Sequence, residues 1–309
     1  MKKFIKWAGI VILALLVIVI AAGFIFRSKY QKMAKETFDV KVPVITIPND
    51  SASLARGESL ANSLCTSCHG GDLAGKDFFN DKTLGVVYSA NITPGGKPKG
   101  WTDADYIRAI RYGVRPDGSG LFVMPVQEFN YMSDADLGSL IAYLKTVPSS
   151  DKPSPDKDFT LLAEIMAGAG AFGTLYQCTE MDLQDASKRK APAVGESIAY
   201  GEYTMKIHGC NTCHGDHLNG KKSPDPISPP GSNLTPKGNM GKWTYDQFAE
   251  TLWTGITPEG KELDPKFMPW DALRLMSETE KKALFNYLHS VPPKADAEVL
   301  AKYKKKMNK

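Results

Sequence analysis

The sequence predicts an all-α protein, with two tandem helical units behind an N-terminal transmembrane helix. Three observations predict it. An uncharged run of 20 residues, Trp7 to Phe26, stands near the start. A stretch of about 100 residues, an ordinary domain size, is then written twice in one order of motifs. Helix-start signals and 3.6-residue apolar spacing recur in both copies, and no convincing alternating strand run is seen. At 42% hydrophobic and 23% charged the chain is globular in composition, so wholesale disorder is excluded. A net charge of +4 is too mild to point to nucleic acid, and no basic-aromatic recognition motif accompanies it.

The N-terminal run is long enough to cross a bilayer as a helix. The rival reading is a cleaved signal peptide, since Ala21-Ala22-Gly23 offers small residues. Signal cores span roughly 7–15 residues, so the expectation is an uncleaved anchor over residues 1–30. Lys2, Lys3 and Lys6 precede the run, and Arg27, Lys29, Lys32 and Lys35 follow it. Both flanks are basic, so charge leaves the orientation open.

The repeat covers residues 51–150 and 196–293. Cys65-Thr-Ser-Cys68-His69 meets Cys210-Asn-Thr-Cys213-His214, and Asn91-Ile-Thr-Pro94 meets Asn233-Leu-Thr-Pro236. Trp101 and Trp243 follow, then Gly113-Val-Arg-Pro-Asp-Gly118 against Gly255-Ile-Thr-Pro-Glu-Gly260. Met124-Pro125 meets Met268-Pro269, and Met132-Ser133 meets Met276-Ser277. Capping boxes are expected at Thr102–Asp105, Thr244–Gln247, Ser133–Asp136 and Ser277–Glu280. After Ser133, Leu137, Leu140, Ile141 and Leu144 make one apolar helical face. Pro148 and Pro292 stop the last helix of each unit. Residues 151–195 are a connector whose apolar piece, 159–176, is expected to pack on a domain. Residues 294–309 form a basic tail, expected to be solvated and frayed.

C-x-x-C-H is a c-type haem attachment signature. Two thiols three positions apart can form thioethers to the two vinyl groups of one porphyrin, and the next residue brings a histidine under the iron. The competing readings are a zinc site and a thiol redox motif. Zinc would have to join Cys65/Cys68 to Cys210/Cys213 across the repeat and would leave both histidines idle. Two covalent haems c are therefore expected, on Cys65 and Cys68 and on Cys210 and Cys213, with His69 and His214 as axial ligands. His69 is the only histidine in residues 51–150, so a second ligand from within the unit is sought among methionines. A thioether ligand raises the potential. Met132 and Met276 precede a helix cap, where an apolar residue packs locally. Met124 and Met268 sit before prolines in a loop, which suits a ligand on stiff backbone. Cys178 is read as an unligated thiol, and His208, His217 and His289 as packing or surface residues. Trp101 and Trp243 suit either a haem edge or the core, and Asn91 and Asn233 either a turn or the haem surroundings.

Together, C-x-x-C-H-G, N-I-T-P, the following Trp, G-V-R-P-D-G, M-P and S-D-A-D-L…A-Y-L resemble class I-like cytochrome c domains. In detail they resemble the cytochrome c subunits of membrane-bound alcohol and gluconate dehydrogenases. The resemblance implies two cytochrome c-like domains, with the Met of each M-P as distal ligand and another apolar residue at the place of Met132. It implies haem domains on the periplasmic, outer side of a bacterial cytoplasmic membrane. Those subunits typically carry three haem motifs, where this sequence has two. The expected function is a membrane-anchored di-haem cytochrome that relays electrons between a redox donor and acceptor, including a dehydrogenase or oxidase complex. The alternative is a di-haem cytochrome c peroxidase-like enzyme, which needs an iron with an open sixth position. The matched Met-Pro pairs argue against an open position.

Overall fold

The chain opens with one long helix, α1 (Lys2–Ala34). In the computed structural model, which describes residues 2–222 and 228–307, the most apolar part of this helix is unburied, and the helix is long and apolar enough to cross a membrane by length and composition. The helix runs on past Phe26 into folded protein. Tyr30 is buried there with Val114, Ala167, Leu175, Tyr176 and Cys178.

The next segment holds α2 (Ser51–Leu64), α3 (Thr66–His69), α4 (Asp103–Tyr112), α5 (Val126–Phe129) and α6 (Asp134–Leu144). After α7 (Leu161–Gly168) the same order recurs in α8 (Ile198–Ile207), α9 (Cys210–His214), α10 (Tyr245–Thr254), α11 (Trp270–Leu273) and α12 (Glu278–Ser290). Caps start these helices where the sequence places them. Thr102 and Asp105 cap α4 reciprocally, as do Thr244 and Gln247 for α10 and Ser277 and Glu280 for α12. The first and last long helices of each segment cross in close contact. A Cβ on Gly57 would lie 2.0 Å from the Ser139 carbonyl, and one on Gly201 would lie 2.0 Å from that of Ala283.

Three expectations are corrected. The fold is mostly helical but includes a small antiparallel sheet, β1 (Asp77–Asp81), β2 (Gly85–Tyr88) and β3 (Asp158–Phe159), in that order. It carries no alternating pattern because β1 is exposed throughout and β3 has two residues. The Ser133 capping box is half made. Ser133 accepts from the Asp136 N–H, but the Asp136 carboxylate is taken by Arg56 and Tyr203. The basic tail is not simply frayed. Its helix α13 (Glu298–Met307) docks through Leu300, which is buried, while Ala297 N–H donates to the Asn219 carbonyl. Leu300, Tyr303 and Met307 share one helical face, but only Leu300 is buried. Asn308 and Lys309 of that tail, and Met1 of the anchor, lie outside the described residues.

The two segments share a buried seam. Tyr200, Tyr203, Ile207 and Ala283 belong to the same apolar cluster as Leu60, Ala61, Met132, Leu137 and Ile141. Across it, Arg56 forks onto Asp136 at 2.8 and 2.9 Å and reaches Glu280 at 2.6 Å. Tyr203 donates to Asp136 at 2.6 Å and accepts from Ser133 N–H. The connector straps the first segment: the Tyr112 hydroxyl donates to the Asp185 carbonyl, and Asp134 N–H to that of Arg189.

Candidate functional site

The first C-x-x-C-H stretch sits where α2 gives way to α3. Cys65 caps α2, and both Cys68 and His69 return their N–H groups to its carbonyl. One turn of helix separates the two thiols, so they project to one side. His69 donates through Nδ1 to the Ala90 carbonyl at 2.8 Å. A carbonyl only accepts, so Nδ1 carries the proton and Nε2 keeps a lone pair free for a metal. Burial holds the ring below its ordinary pKa, which keeps it neutral.

The acceptor is itself held in place. Asn91, next to Ala90, is fully buried. Its Oδ1 accepts from Thr93 N–H and Oγ1, and its Nδ2 donates to the carbonyls of Ser150 at 2.8 Å and Lys152 at 3.0 Å. Asn91 therefore does close a turn, but it also ties the loop under His69 to the chain after α6.

Met124 lines the same cavity as His69. Val126 N–H donates to the Met124 carbonyl around Pro125, with φ −79° and ψ 64° at the proline. That is an inverse γ-turn, fixed by the pyrrolidine ring. Cys65, Cys68, His69 and Met124 line one cavity. Its other walls are largely apolar, with Leu64, Ile92, Trp101, Ile110, Phe129 and Leu140 among them. Lys97, Arg115 and Lys157 also line it. A largely apolar cavity lined by two thiols, an imidazole, a thioether and cations fits a haem with acidic side chains. Sequence reasoning noted Arg115 only as part of a motif and passed over Lys97 and Lys157.

The second stretch repeats the device. His214, buried on α9, donates through Nδ1 to the Ser232 carbonyl at 2.7 Å. Asn233 accepts from Thr235 N–H and Oγ1 and donates to the Lys294 carbonyl and to Asp296. Trp270 N–H donates to the Met268 carbonyl around Pro269, with φ −76° and ψ 57°. Cys210 and Met268 pack on the cluster of Leu218, Met240, Phe248, Leu252 and Leu273. Burial pushes the Cys65 and Cys210 thiols up to about 12, so they stay protonated.

Other candidates fall elsewhere. Met132 and Met276 are buried in the two cores. Cys178 is buried beside Tyr176, and all five cysteines are free. His208 is enclosed at the seam, donating through Nδ1 to the Thr204 carbonyl and facing the Ser63 hydroxyl. His217 is exposed, and His289 is half-buried against Phe285. Trp101 lines the first cavity, whereas Trp243 donates to Glu259. Among the described residues no three His, Cys, Asp or Glu side chains gather as a metal cluster, so the four motif thiols do not meet in one site. The attachment helices instead meet the other segment's Met-Pro loop. Thr212 of α9 donates to Glu128 of α5, and α11 packs on α2 and α3.

Residues 52–144 match the family of cytochrome c oxidase, cbb3-type, subunit III. The chain is 28% identical to the fructose dehydrogenase cytochrome subunit of Gluconobacter japonicus, over 79% of this chain and 54% of that protein. It is 26% identical to the alcohol dehydrogenase (quinone) cytochrome c subunit of Gluconacetobacter polyoxogenes, over 79% and 57%. It is 26% identical to a diheme cytochrome c-type protein of Cereibacter sphaeroides, over 74% and 82%. The chain thus spans a little over half the length of the two dehydrogenase subunits. By these matches the chain resembles the cytochrome c subunits of dehydrogenases, and residues 52–144 resemble a cytochrome c oxidase subunit family.

Proposed function

We propose that this chain is a membrane-anchored di-haem c-type cytochrome that relays electrons between redox partners, one of them a dehydrogenase. Residues 51–150 and 196–293 are its two cytochrome c-like units, behind the anchor formed by α1. Cys65 and Cys68 hold one haem, Cys210 and Cys213 the other. His69 with Met124, and His214 with Met268, are the axial pairs.

The observation that carries this reading is the fixed tautomer of both histidines, each bonded through Nδ1 and each presented one position after its second thiol. A bound haem c supplies a one-electron ferric–ferrous couple. The side chains do the rest. The Nδ1 bonds orient the imidazoles and raise their donor strength. The proline-locked turns fix the sulfurs, and the apolar walls exclude water. A dehydrogenase partner is supported by the relatives, which are subunits of such enzymes. The bare apolar stretch of α1 supports the anchor, and the resemblance supports an outer, periplasmic face.

The test is a haem count and a spectroscopic redox titration of the purified full chain. Two haems, two positive potentials and the weak far-red sulfur-to-iron band of oxidised His/Met haem are expected. Met124→Ala and Met268→Ala should each remove roughly half of that band, one site in two. A single strongly negative potential at an open iron would overturn the relay and favour peroxide turnover.

A further inference from the structure

We propose that α7 is a second membrane-contacting element, an interfacial helix seated in the outer boundary of the bilayer beside the end of α1. The proposal rests on the reading of α1 as an anchor. It concerns the Leu-Leu-Ala-Glu-Ile-Met-Ala-Gly sequence of α7, which no motif of the haem sites uses.

The helix is inside out for a soluble surface. Its small residues face protein: Ala163 and Ala167 are buried, and a Cβ on Gly168 would lie 1.8 Å from the Phe26 carbonyl. Backbones that meet through small residues are typical of helices packed in membranes. Two of its four large apolar residues face out, Leu161 59% and Leu162 47% exposed, while Ile165 and Met166 are half-buried. A soluble amphipathic helix turns such residues inward. The one charge, Glu164, is neutralised by Arg27 Nε at 2.6 Å.

The depth is also right. Ile165 Cδ1 comes within 3.5 Å of where a Cβ on Gly23 would be. Gly23 lies three residues inside the end of the apolar run, roughly 4.5 Å at 1.5 Å per residue. An interfacial helix buries its apolar face about 5–10 Å into the boundary. Phe24 and Ile25 of α1, each 66% exposed, continue the same apolar surface, and Arg27 and Lys29 follow where headgroups would begin. The occupant of this face is therefore lipid. Tyr30, Ala167, Leu175 and Tyr176 join α1 and α7 in one cluster with Phe122, which lines the first cavity. The end of α1, α7 and a wall residue of the first cavity thus share one apolar cluster.

The experiment uses the haem-loaded full chain in phosphatidylcholine–phosphatidylglycerol vesicles, with a bilayer-soluble photoactivated carbene reagent mapped by mass spectrometry. Residues 161–169 should label together with Trp7–Phe26, about tenfold or more above the exposed Trp253 and Ile256, as burial of a leucine in lipid implies. Leu162→Glu, an exposed change, should cut labelling of α7 severalfold and leave α1 unchanged. Label on α1 but not α7 overturns the proposal while the anchor stands. Label on neither overturns the anchor as well. Label on α7 in vesicles that vanishes in native membranes assigns the face to a protein partner and overturns lipid as its occupant.

Discussion

At the scale of single residues, each histidine depends on a carbonyl, and each carbonyl on a buried asparagine. Asn91 satisfies two carbonyls and two donors with one side chain. Asn91→Ala would leave the Ser150 and Lys152 carbonyls without it and should cost about 2–4 kcal/mol, read as a lower melting temperature. Arg115 has a different office. It lines the first cavity, where its positive charge would favour the reduced, more electron-rich state of the proposed haem. The second segment has Thr257 at the matching place. Arg115→Gln should therefore lower the first potential by on the order of tens of millivolts. Thr257→Arg should raise the second, and a redox titration of both variants checks the pair of signs.

At the scale of elements, helix starts were legible because caps are local chemistry. Thr102, Thr244 and Ser277 needed only the residue three positions on. The thiols, the histidines and the two Met-Pro turns were legible for the same reason. What escaped was long-range. The sheet is built from an exposed strand and a two-residue partner from the connector, with no periodicity to announce it. The apolar piece of the connector was expected on a domain and its ends pack there, Phe159 beside β2 and Leu175 and Tyr176 with Val114 and Phe122; that α7 between them would lie along α1, through the small residues Ala163, Ala167 and Gly168, was not read. The Asp136 cap failed because a partner 80 positions away, Arg56, claims its carboxylate. That seam yields its own prediction. Arg56→Ala would leave Asp136 and Glu280, 8% and 1% exposed, as buried charges without their cation. The loss should be about 3–5 kcal/mol, seen in denaturant unfolding. Replacing Arg56, Asp136 and Glu280 together by apolar residues should cost far less, because no charge is then stranded.

At the scale of the whole molecule, the seam makes the joint between the segments sensitive to acid. His208 is enclosed there, and burial holds its pKa below the ordinary 6.5. The unfolded chain therefore binds a proton that the folded chain refuses, so stability falls as pH drops below about 6.5. Glu280 acts lower on the scale. Burial alone would raise its pKa, but Arg56 holds it below the ordinary 4.5. Its contribution is complete above that value and is lost as pH falls through the folded pKa. Both groups act in the same direction, in successive windows. One group contributes at most about 1.4 kcal/mol per pH unit, or roughly 2–4 °C in a chain of this size. The melting temperature of the haem-loaded protein should accordingly hold from pH 8 to about 6.5, decline below it, and steepen below pH 4.5. On the proposed reading His69 and His214 are ligated and do not titrate in this range, so the upper decline is assigned to His208. His208→Gln, which keeps a polar group toward Ser63, should flatten the curve between pH 6.5 and 5 while leaving the lower limb. Glu280→Gln should do the reverse, at a cost in stability near neutrality from the weakened contact to Arg56. A wild-type curve that is flat down to pH 5 would show that His208 binds its proton as readily in the folded as in the unfolded chain, and would remove it as the source of acid sensitivity at the seam.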